Sequence, residues 1–319
     1  MRRLCTVAAC AMLLLISPML AAAQDATPTA SLSAPCAAPV ATFAEAEDFA
    51  DRQEVAVRFT CKGADLAGTL YLPPGEGPHP AVVWVHGSGE APRLGFGGDL
   101  LPALVRAGIA VFSYDKRGVE ESTGECCPGD SGDFDLLAAD AAAAVDVLAM
   151  RDDIDPAQIG LLGASQAGWV VPMAAAWSSR VAFLALVDAP TVSYGEEHLY
   201  SQLTGEEGGG PGGLSKEEIA RRLADAGPSG FDPAPFLERL TIPGLWLYGD
   251  SDQSIPVDQS VAILERLRES EGKDFNVMVF PGAGHGLLDV PPSDPKALPT
   301  LLDWLLERVR VAGGATPAP

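Results

Sequence analysis

The sequence predicts an α/β protein with a doubly wound, mostly parallel sheet, helices on both faces and a short cap insertion. Six continuous apolar runs recur along the chain, and helical patterns separate them. Such runs are typical of strands covered on both faces, and parallel neighbours need crossover connections. The runs are Ala81–Gly87, Gly108–Asp115, Ile159–Gly163, Ala182–Pro190, Gly244–Asp250 and Asn276–Gly282.

The start of the chain has the pattern of an export signal. Two arginines precede an apolar run, Val7–Leu20, and three alanines follow it at 21–23. A basic start, a short apolar stretch and a small-residue cleavage site predict a signal peptide over 1–23. A retained membrane anchor is the weaker alternative, because Ser17 and Pro18 interrupt a run already shorter than the roughly 20 residues that span a bilayer. We therefore expect a secreted or periplasmic protein without integral membrane contact.

Composition bounds the remainder of the chain. Residues 24–40 are rich in Ala, Pro, Ser and Thr, which predicts a flexible leader over 24–45 and a single domain over 46–319. The chain carries 21 basic and 43 acidic residues, a formal net charge of −22. An acidic surface of this kind repels nucleic acid and anionic membranes. The sequence gives no signal for the oligomeric state.

Four cysteines follow the predicted signal: Cys36, Cys61, Cys126 and Cys127. In an oxidising compartment they could form two bridges in three connectivities, and free thiols are the alternative. Their spacing is not that of a zinc site, and a bond between the adjacent pair would be strained. We expect neither a metal nor a cofactor.

The other elements follow in order. A hairpin is predicted before the first apolar run, over Val55–Thr60 and Leu66–Leu72, because two β-rich stretches flank a Gly-containing turn. The predicted helices between and after the runs are Leu100–Ala107, Phe134–Met150, Gln166–Trp177, Gln259–Glu271 and Ala297–Val311. Apolar residues recur on one face of the second of these at helical spacing.

A long segment interrupts the alternation at about 191–240. It contains the Gly-rich stretch 204–218 and a helix over Lys216–Asp225 that Ser215 caps. Insertions of this length inside a compact domain are more often functional than filler. We interpret it as a lid over the strand ends that contributes little to the core; a surface loop is the alternative.

One stretch, IGLLGASQAGWVVP, ends an apolar run on Ser165 and passes directly into a helical pattern. Small residues surround the serine at 163, 164, 167 and 168. This is the layout of a nucleophile elbow, although Ala167 stands where the pattern has its second glycine. A simple Gly-Ala-Ser turn in an Ala-rich chain is the alternative.

Other polar residues follow neighbouring runs. Asp188, Asp250 and Asp252 lie after two of them, and His285 lies after the last. Because the carboxyl ends of parallel strands share one edge of a sheet, these side chains should converge with Ser165. Asp252 lies in a turn with reach towards the loop of His285, Asp250 should be tied into the sheet edge, and Asp188 is the alternative acid.

Five motifs together resemble the α/β-hydrolases, in particular the secreted esterase and serine-aminopeptidase-like branch. They occur in the expected order over residues 50–311: HGSG, YDKRGVEEST, GASQAGW, GDSDQSIP and GAGHG. The resemblance implies Ser165 as nucleophile, His285 as base and Asp252 as acid. It also implies backbone N–H donors at Ser88 and Gln166 for the oxyanion.

Other residues of these motifs are assigned structural roles. Asp115 and Arg117 should form a loop network, and His86 should shape the oxyanion loop. Glu120 stands where the pattern D-x-R-G-x-G-x-S has a glycine, so this loop is expected to differ in shape.

The expected function is that of an exported serine hydrolase that cleaves carboxylic esters through an acyl-enzyme on Ser165. A serine aminopeptidase is the main alternative, with cap glutamates binding the free amine of a short peptide. Thioester cleavage or acyl transfer could use the same residues, and a non-catalytic binding protein is disfavoured. The cap glutamates are Glu196, Glu197, Glu206 and Glu207.

Overall fold

The protein is described from a computed structural model that covers residues 35–93, 98–127, 134–206, 213–289 and 291–309. The predicted signal over 1–23 and the first half of the predicted leader, 24–34, lie outside these ranges. Export therefore stays a prediction from the sequence.

Within the described residues the sheet has ten strands in the order β1-β3-β4-β6-β5-β7-β8-β9-β10, with β2 paired to β3. From β6 onwards in this order all neighbours are parallel, whereas β1, β3, β4 and β6 pair antiparallel. The strands are β1 (Ala41–Phe43), β2 (Glu47–Asp48), β3 (Gln53–Cys61), β4 (Ala64–Leu72), β5 (His79–Val85), β6 (Ala110–Tyr114), β7 (Ile154–Ala164), β8 (Val181–Val187), β9 (Gly244–Gly249) and β10 (Phe275–Phe280). The predicted fold class, with its hairpin, is confirmed.

The boundary predicted at residue 46 requires a correction. Strand β1 lies inside the predicted leader and pairs antiparallel with β3, with Ala41 opposite Phe59. A disulfide between Cys36 and Cys61 ties the preceding residues to the end of β3. The composition of 24–40 predicted a flexible leader, but backbone pairing and this crosslink hold its last part on the sheet.

Helices cover both faces of the sheet, as predicted. Successive residues of β5 face opposite sides of the sheet. Val83 packs into the core beneath α2, α3 and α7. Val82 packs into the core beneath α1 and α8. Strands β5, β6 and β9 are buried along their whole length. The helices are α1 (Leu100–Arg106), α2 (Asp135–Leu148), α3 (Ala167–Trp177), α7 (Val257–Glu271) and α8 (Ala297–Arg308).

The described part of the cap insertion contains three helices, α4 (Tyr194–Thr204), α5 (Lys216–Ala226) and α6 (Ala234–Leu237). Helix α5 and its cap are as predicted, since Ser215 Oγ accepts from the Glu218 N–H at 3.3 Å. A small apolar cluster holds α4 to α5.

The end of the insertion belongs to the main core instead. Phe236, Leu237 and Leu240 are at most 5% exposed and pack with the residues beneath the sheet. The expectation that the insertion contributes little to the core is therefore wrong for this part.

Candidate active site

The turn at Ser165 is as tight as the sequence suggested. Ser165 has a φ of +53°, a left-handed conformation that is strained for a residue with a side chain. A Cβ on Gly163 would lie 2.5 Å from that of Ala167, and one on Gly168 would lie 2.3 Å from the Pro190 carbonyl oxygen. The methyl of Ala167 is accommodated because residue 163, which it approaches, is a glycine. The surrounding small residues are what allow β7 to turn into α3 here.

Asp252 and His285 are brought together by the structure. The Asp252 carboxylate is 2% exposed, and its Oδ2 lies 2.8 Å from His285 Nδ1. Its Oδ1 accepts from the Ser254 and Ile255 N–H groups at 2.7 and 2.9 Å. Because a carboxylate only accepts, Nδ1 carries the proton and Nε2 is left to accept one.

Asp188 occupies a different place in the same region. Its Oδ2 accepts from the backbone N–H groups of Gly286 and Leu287 at 2.9 and 2.8 Å, while its Oδ1 is buried without a partner. Burial raises the pKa of Asp188 to about 6, although these amides and His285 oppose the rise. Asp188 therefore holds the backbone just after His285 and makes no hydrogen bond to the imidazole within the part of the chain described.

Asp250, the third acid weighed, is an exposed residue at the sheet edge. Its Oδ1 accepts from the Gly282 N–H at 2.7 Å and from Ser251 Oγ at 3.0 Å. It links the ends of β9 and β10 and makes no hydrogen bond to His285 within the described residues.

The surroundings of His285 favour its protonated form. Burial lowers the pKa, but the hydrogen bond to Asp252 and the negative charges of Asp252, Asp188 and Glu206 outweigh it and raise the pKa to about 9. The same carboxylates stabilise the imidazolium that a general base becomes during catalysis.

A cleft of about 290 Å³ opens beside the elbow. Ser88, Ser165 and Gln166 line it together with residues of α4. Three of the five predicted site residues thus share one cavity. Its further lining residues are Trp169, Pro190, Tyr194, Glu197, His198, Ser201, Glu206, Ser254 and Ile255.

The loop after β5 approaches the elbow closely. A Cβ on Gly87 would lie 3.6 Å from that of Ser165. His86 is buried with its Nε2 against the Tyr114 carbonyl oxygen, and burial lowers the pKa of His86 to about 4. His86 is therefore a neutral residue that fixes the loop, in the role expected for it.

Sequence reasoning missed Lys116, which is 1% exposed at the end of β6. Its Nζ donates to the carbonyl oxygens of Gly87 and Gly89 at 3.1 and 3.0 Å, and to Gln166 Oε1 at 2.9 Å. The available signal was a lysine directly after an apolar strand, within YDKRG, where a charge has to be buried.

The rest of that loop is a network of ion pairs. Arg117 donates to both carboxylate oxygens of Asp140 at 2.8 and 2.6 Å in the interior. Asp115 pairs with the guanidinium of Arg93 and accepts from the Arg93 N–H at 2.8 Å. Glu120 has a φ of +47°, so it keeps the left-handed turn for which the pattern uses glycine.

The cap is attached to the segment that carries Asp252. Tyr200 Oη on α4 donates to the Asp252 carbonyl oxygen at 2.8 Å, and Thr204 Oγ1 donates to that of Gln253 at 2.5 Å. Helix α4 is itself fixed by a capping box between Ser193 and Glu196. This pattern in the sequence indicates the start of a helix, and it could have predicted α4.

The cap glutamates therefore differ in place. Glu196 serves its own helix, since its Oε2 accepts from the Ser193 N–H and Oγ at 3.0 and 2.6 Å. Glu197 and Glu206 line the cleft, and Glu207 lies outside the described residues.

Comparison with known proteins identifies the family. The model of the prolyl oligopeptidase family matches residues 103–311. The chain belongs to this family. It is 29% identical over 247 residues to the esterase EstD of Thermotoga maritima, covering 69% of this chain and 57% of EstD.

Solved structures show that this family member has the α/β-hydrolase fold. Acetyl xylan esterase 1 from Thermoanaerobacterium superposes with a TM-score of 0.62 at 21% identity, covering 85% of this chain and 89% of that one. The acylaminoacyl peptidase of Pyrococcus horikoshii reaches 0.60 at 16% identity, covering 84% and 43%. Esterases and peptidases share this fold, so the fold alone does not separate the two activities.

Among the described residues of this prolyl oligopeptidase family member, no group of three or more His, Cys, Asp or Glu side chains is arranged to hold a metal ion. None of the helices described combines the length and apolar character needed to cross a membrane.

Proposed function

We propose that the protein is an exported serine hydrolase that cleaves carboxylic esters through an acyl-enzyme on Ser165. The observation that carries this proposal is the 2.8 Å hydrogen bond between His285 and Asp252 at the sheet edge that also bears the elbow. The Ser165 N–H bonds the Val187 carbonyl oxygen, and Asp188, the next residue, holds the loop of His285. These contacts between adjacent strand ends support a catalytic role for the serine and the histidine together.

The reaction follows from these positions. His285 Nε2 accepts the Ser165 proton as Oγ attacks the ester carbonyl carbon, and Asp252 stabilises the imidazolium. The tetrahedral oxyanion is bound by the backbone N–H groups of Ser88 and Gln166. Collapse expels the alcohol, protonated by His285, and leaves an acyl group on Ser165. Water activated by the same imidazole then releases the acid.

Ester cleavage is supported by relatives that are named esterases, among them EstD and acetyl xylan esterase 1. Export is supported by the pattern at 1–23 and by the cysteine pairs, since disulfides persist in oxidising compartments. A serine aminopeptidase is the second candidate. Glu197 and Glu206 favour it because they place carboxylates in the cleft where a substrate ammonium would bind.

Ser165→Ala tests the proposal directly. We expect loss of p-nitrophenyl ester turnover and loss of labelling by a fluorophosphonate probe, which the wild type should carry on Ser165. Ser251→Ala, a serine that bonds Asp250 outside the cleft, is the matched control and should keep both. Undiminished hydrolysis by Ser165→Ala, or a label on another serine, would overturn the assignment. Aminoacyl anilides in the same panel separate the two candidates, because faster cleavage of anilides than esters would favour the peptidase.

A further inference from the structure

We propose that Lys116 is a positioning residue that fixes both halves of the oxyanion site with one buried ammonium group. The inference rests on the proposed function, since it concerns the donors of Ser88 and Gln166. Its basis is the three hydrogen bonds from Lys116 Nζ, which reach two carbonyl oxygens of the loop after β5 and the side chain of Gln166.

The first contact orients the Ser88 donor. The Gly87 carbonyl and the Ser88 N–H belong to one planar peptide unit, and in a trans peptide they point in opposite directions. Holding the Gly87 oxygen 3.1 Å from the ammonium therefore directs the Ser88 N–H to the other side. Ser88 lines the cleft beside Ser165, so the side away from Lys116 is where an oxyanion donor is needed.

The second contact restrains the other donor. Gln166 follows Ser165 and is 3% exposed, and its Oε1 lies 2.9 Å from Lys116 Nζ. Anchoring this side chain limits rotation of the residue whose N–H faces the developing charge. The bond to Gly89 at 3.0 Å holds the loop at a second point, so one cation links the loop after β5 to the start of α3.

The positive charge has an effect beyond geometry. A cation on the Gly87 carbonyl oxygen draws electron density from the peptide and makes the Ser88 N–H a stronger donor. Because Lys116 is 1% exposed, solvent screens this polarisation little. A lysine serving only to fill space would need neither the charge nor the three acceptors.

Lys116→Met tests the inference, because methionine keeps an unbranched apolar chain and removes the charge. Loss of one oxyanion donor typically costs about 10²–10³ in kcat, so we expect kcat to fall by about 10²-fold with KM changed by less than about threefold. A trifluoromethyl ketone, which adds to the serine and forms an oxyanion, should lose affinity by a similar factor. A purely structural role would not weaken this inhibitor in proportion to kcat.

Lys273→Met is the matched control. Lys273 Nζ also donates to two backbone carbonyl oxygens, those of Glu238 and Leu240, at a site far along the chain from the elbow. We expect it to keep the wild-type kcat and inhibitor affinity even where it lowers thermal stability. A folded Lys116→Met variant with wild-type kcat and inhibitor affinity would overturn the inference.

Gln166→Met is the second variant, for the case in which Lys116→Met does not fold. It keeps the backbone N–H and removes one partner of Lys116, so we expect about a tenfold weaker inhibitor; unchanged affinity would contradict the inference. Fluorophosphonate labelling of wild-type Ser165 separates the two proposals. If wild-type Ser165 is not labelled, the proposed function fails. If it is labelled and Lys116→Met keeps the wild-type kcat and inhibitor affinity, only the role of Lys116 is refuted.

Discussion

Three aspartates at one sheet edge show what single residues add to the sequence pattern. Motif position and reach favoured Asp252 over Asp188, and the structure gives the two carboxylates different partners. Asp188 bonds backbone amides, a contact that spacing in a sequence does not reveal. The role of Lys116 was not predicted for the same reason. Two of its partners are carbonyl oxygens of a loop 27 to 29 residues away in the sequence.

Substitution of the two acids should separate their roles. We expect Asp252→Asn to lower the single-turnover acylation rate by about 10⁴, because the amide no longer holds the productive tautomer of His285. Asp188→Asn keeps an oxygen that can accept from Gly286 and Leu287, so its loss should be far smaller. The reverse ranking, with both variants folded, would show that Asp252 is the wrong acid.

The pH dependence should report the charges around His285. In the proposed mechanism catalysis needs the neutral imidazole of His285. The pKa of His285 is raised from 6.5 to about 9, so kcat/KM should keep rising with pH above 6.5. Glu206→Gln removes one of the charges that raise this pKa, so the midpoint of the pH profile of kcat/KM should move to lower pH. The shift should be smaller at high salt, which screens the charge. Glu217→Gln, another cap acid, is the control and should leave the midpoint unchanged. A midpoint at or below 6.5 in the wild type contradicts the expectation.

At the scale of elements, the cap is where sequence and structure diverge most. Helix α5 was predicted from its cap residue, Ser215, whereas α4 was missed in a stretch without strong apolar periodicity. The position of α6 in the main core depends on tertiary packing of Phe236 and Leu237, which a pattern in the insertion alone does not disclose.

Two leucines test whether the end of the insertion belongs to the main core while α4 and α5 form a separate small cluster. Leu237→Ala should lower the free energy of unfolding by about 2–5 kcal/mol, because Leu237 is 0% exposed in the main core. Leu223 is 3% exposed in the small cap cluster, so Leu223→Ala should leave the main urea transition nearly unchanged. It should instead alter relative rates across an ester panel. Equal losses of global stability would contradict the division.

For the whole molecule, the pattern of apolar residues and the alternation of strands with helices were enough to predict the fold. Buried parallel strands read as continuous apolar runs, and the alternation with helices follows from crossover connections. Crosslinks were beyond this reasoning, because four cysteines allow three pairings on sequence grounds. The structure pairs Cys36 with Cys61 and Cys126 with Cys127.

The longer crosslink should carry the stability. Cys36 and Cys61 are 25 residues apart, and closing such a loop contributes about 3.5 kcal/mol in the chain-entropy model. Serine at both positions should lower the free energy of unfolding in urea by about this amount. Serine at Cys126 and Cys127 is the control, since adjacent residues close almost no loop and the loss should stay within about 1 kcal/mol. Similar losses for both pairs would refute the chain-entropy reasoning.

The contacts of Tyr200 and Thr204 set a rule for engineering the specificity of this protein. Any movement that lifts α4 to admit a bulkier substrate breaks bonds to the backbone that carries Asp252. Widening the cleft by moving α4 therefore disturbs the position of Asp252. Variants selected for a cleft widened in this way should have a lower kcat. Trimming a side chain that lines the cleft, such as Tyr194, widens the mouth while leaving the two anchors of α4 in place.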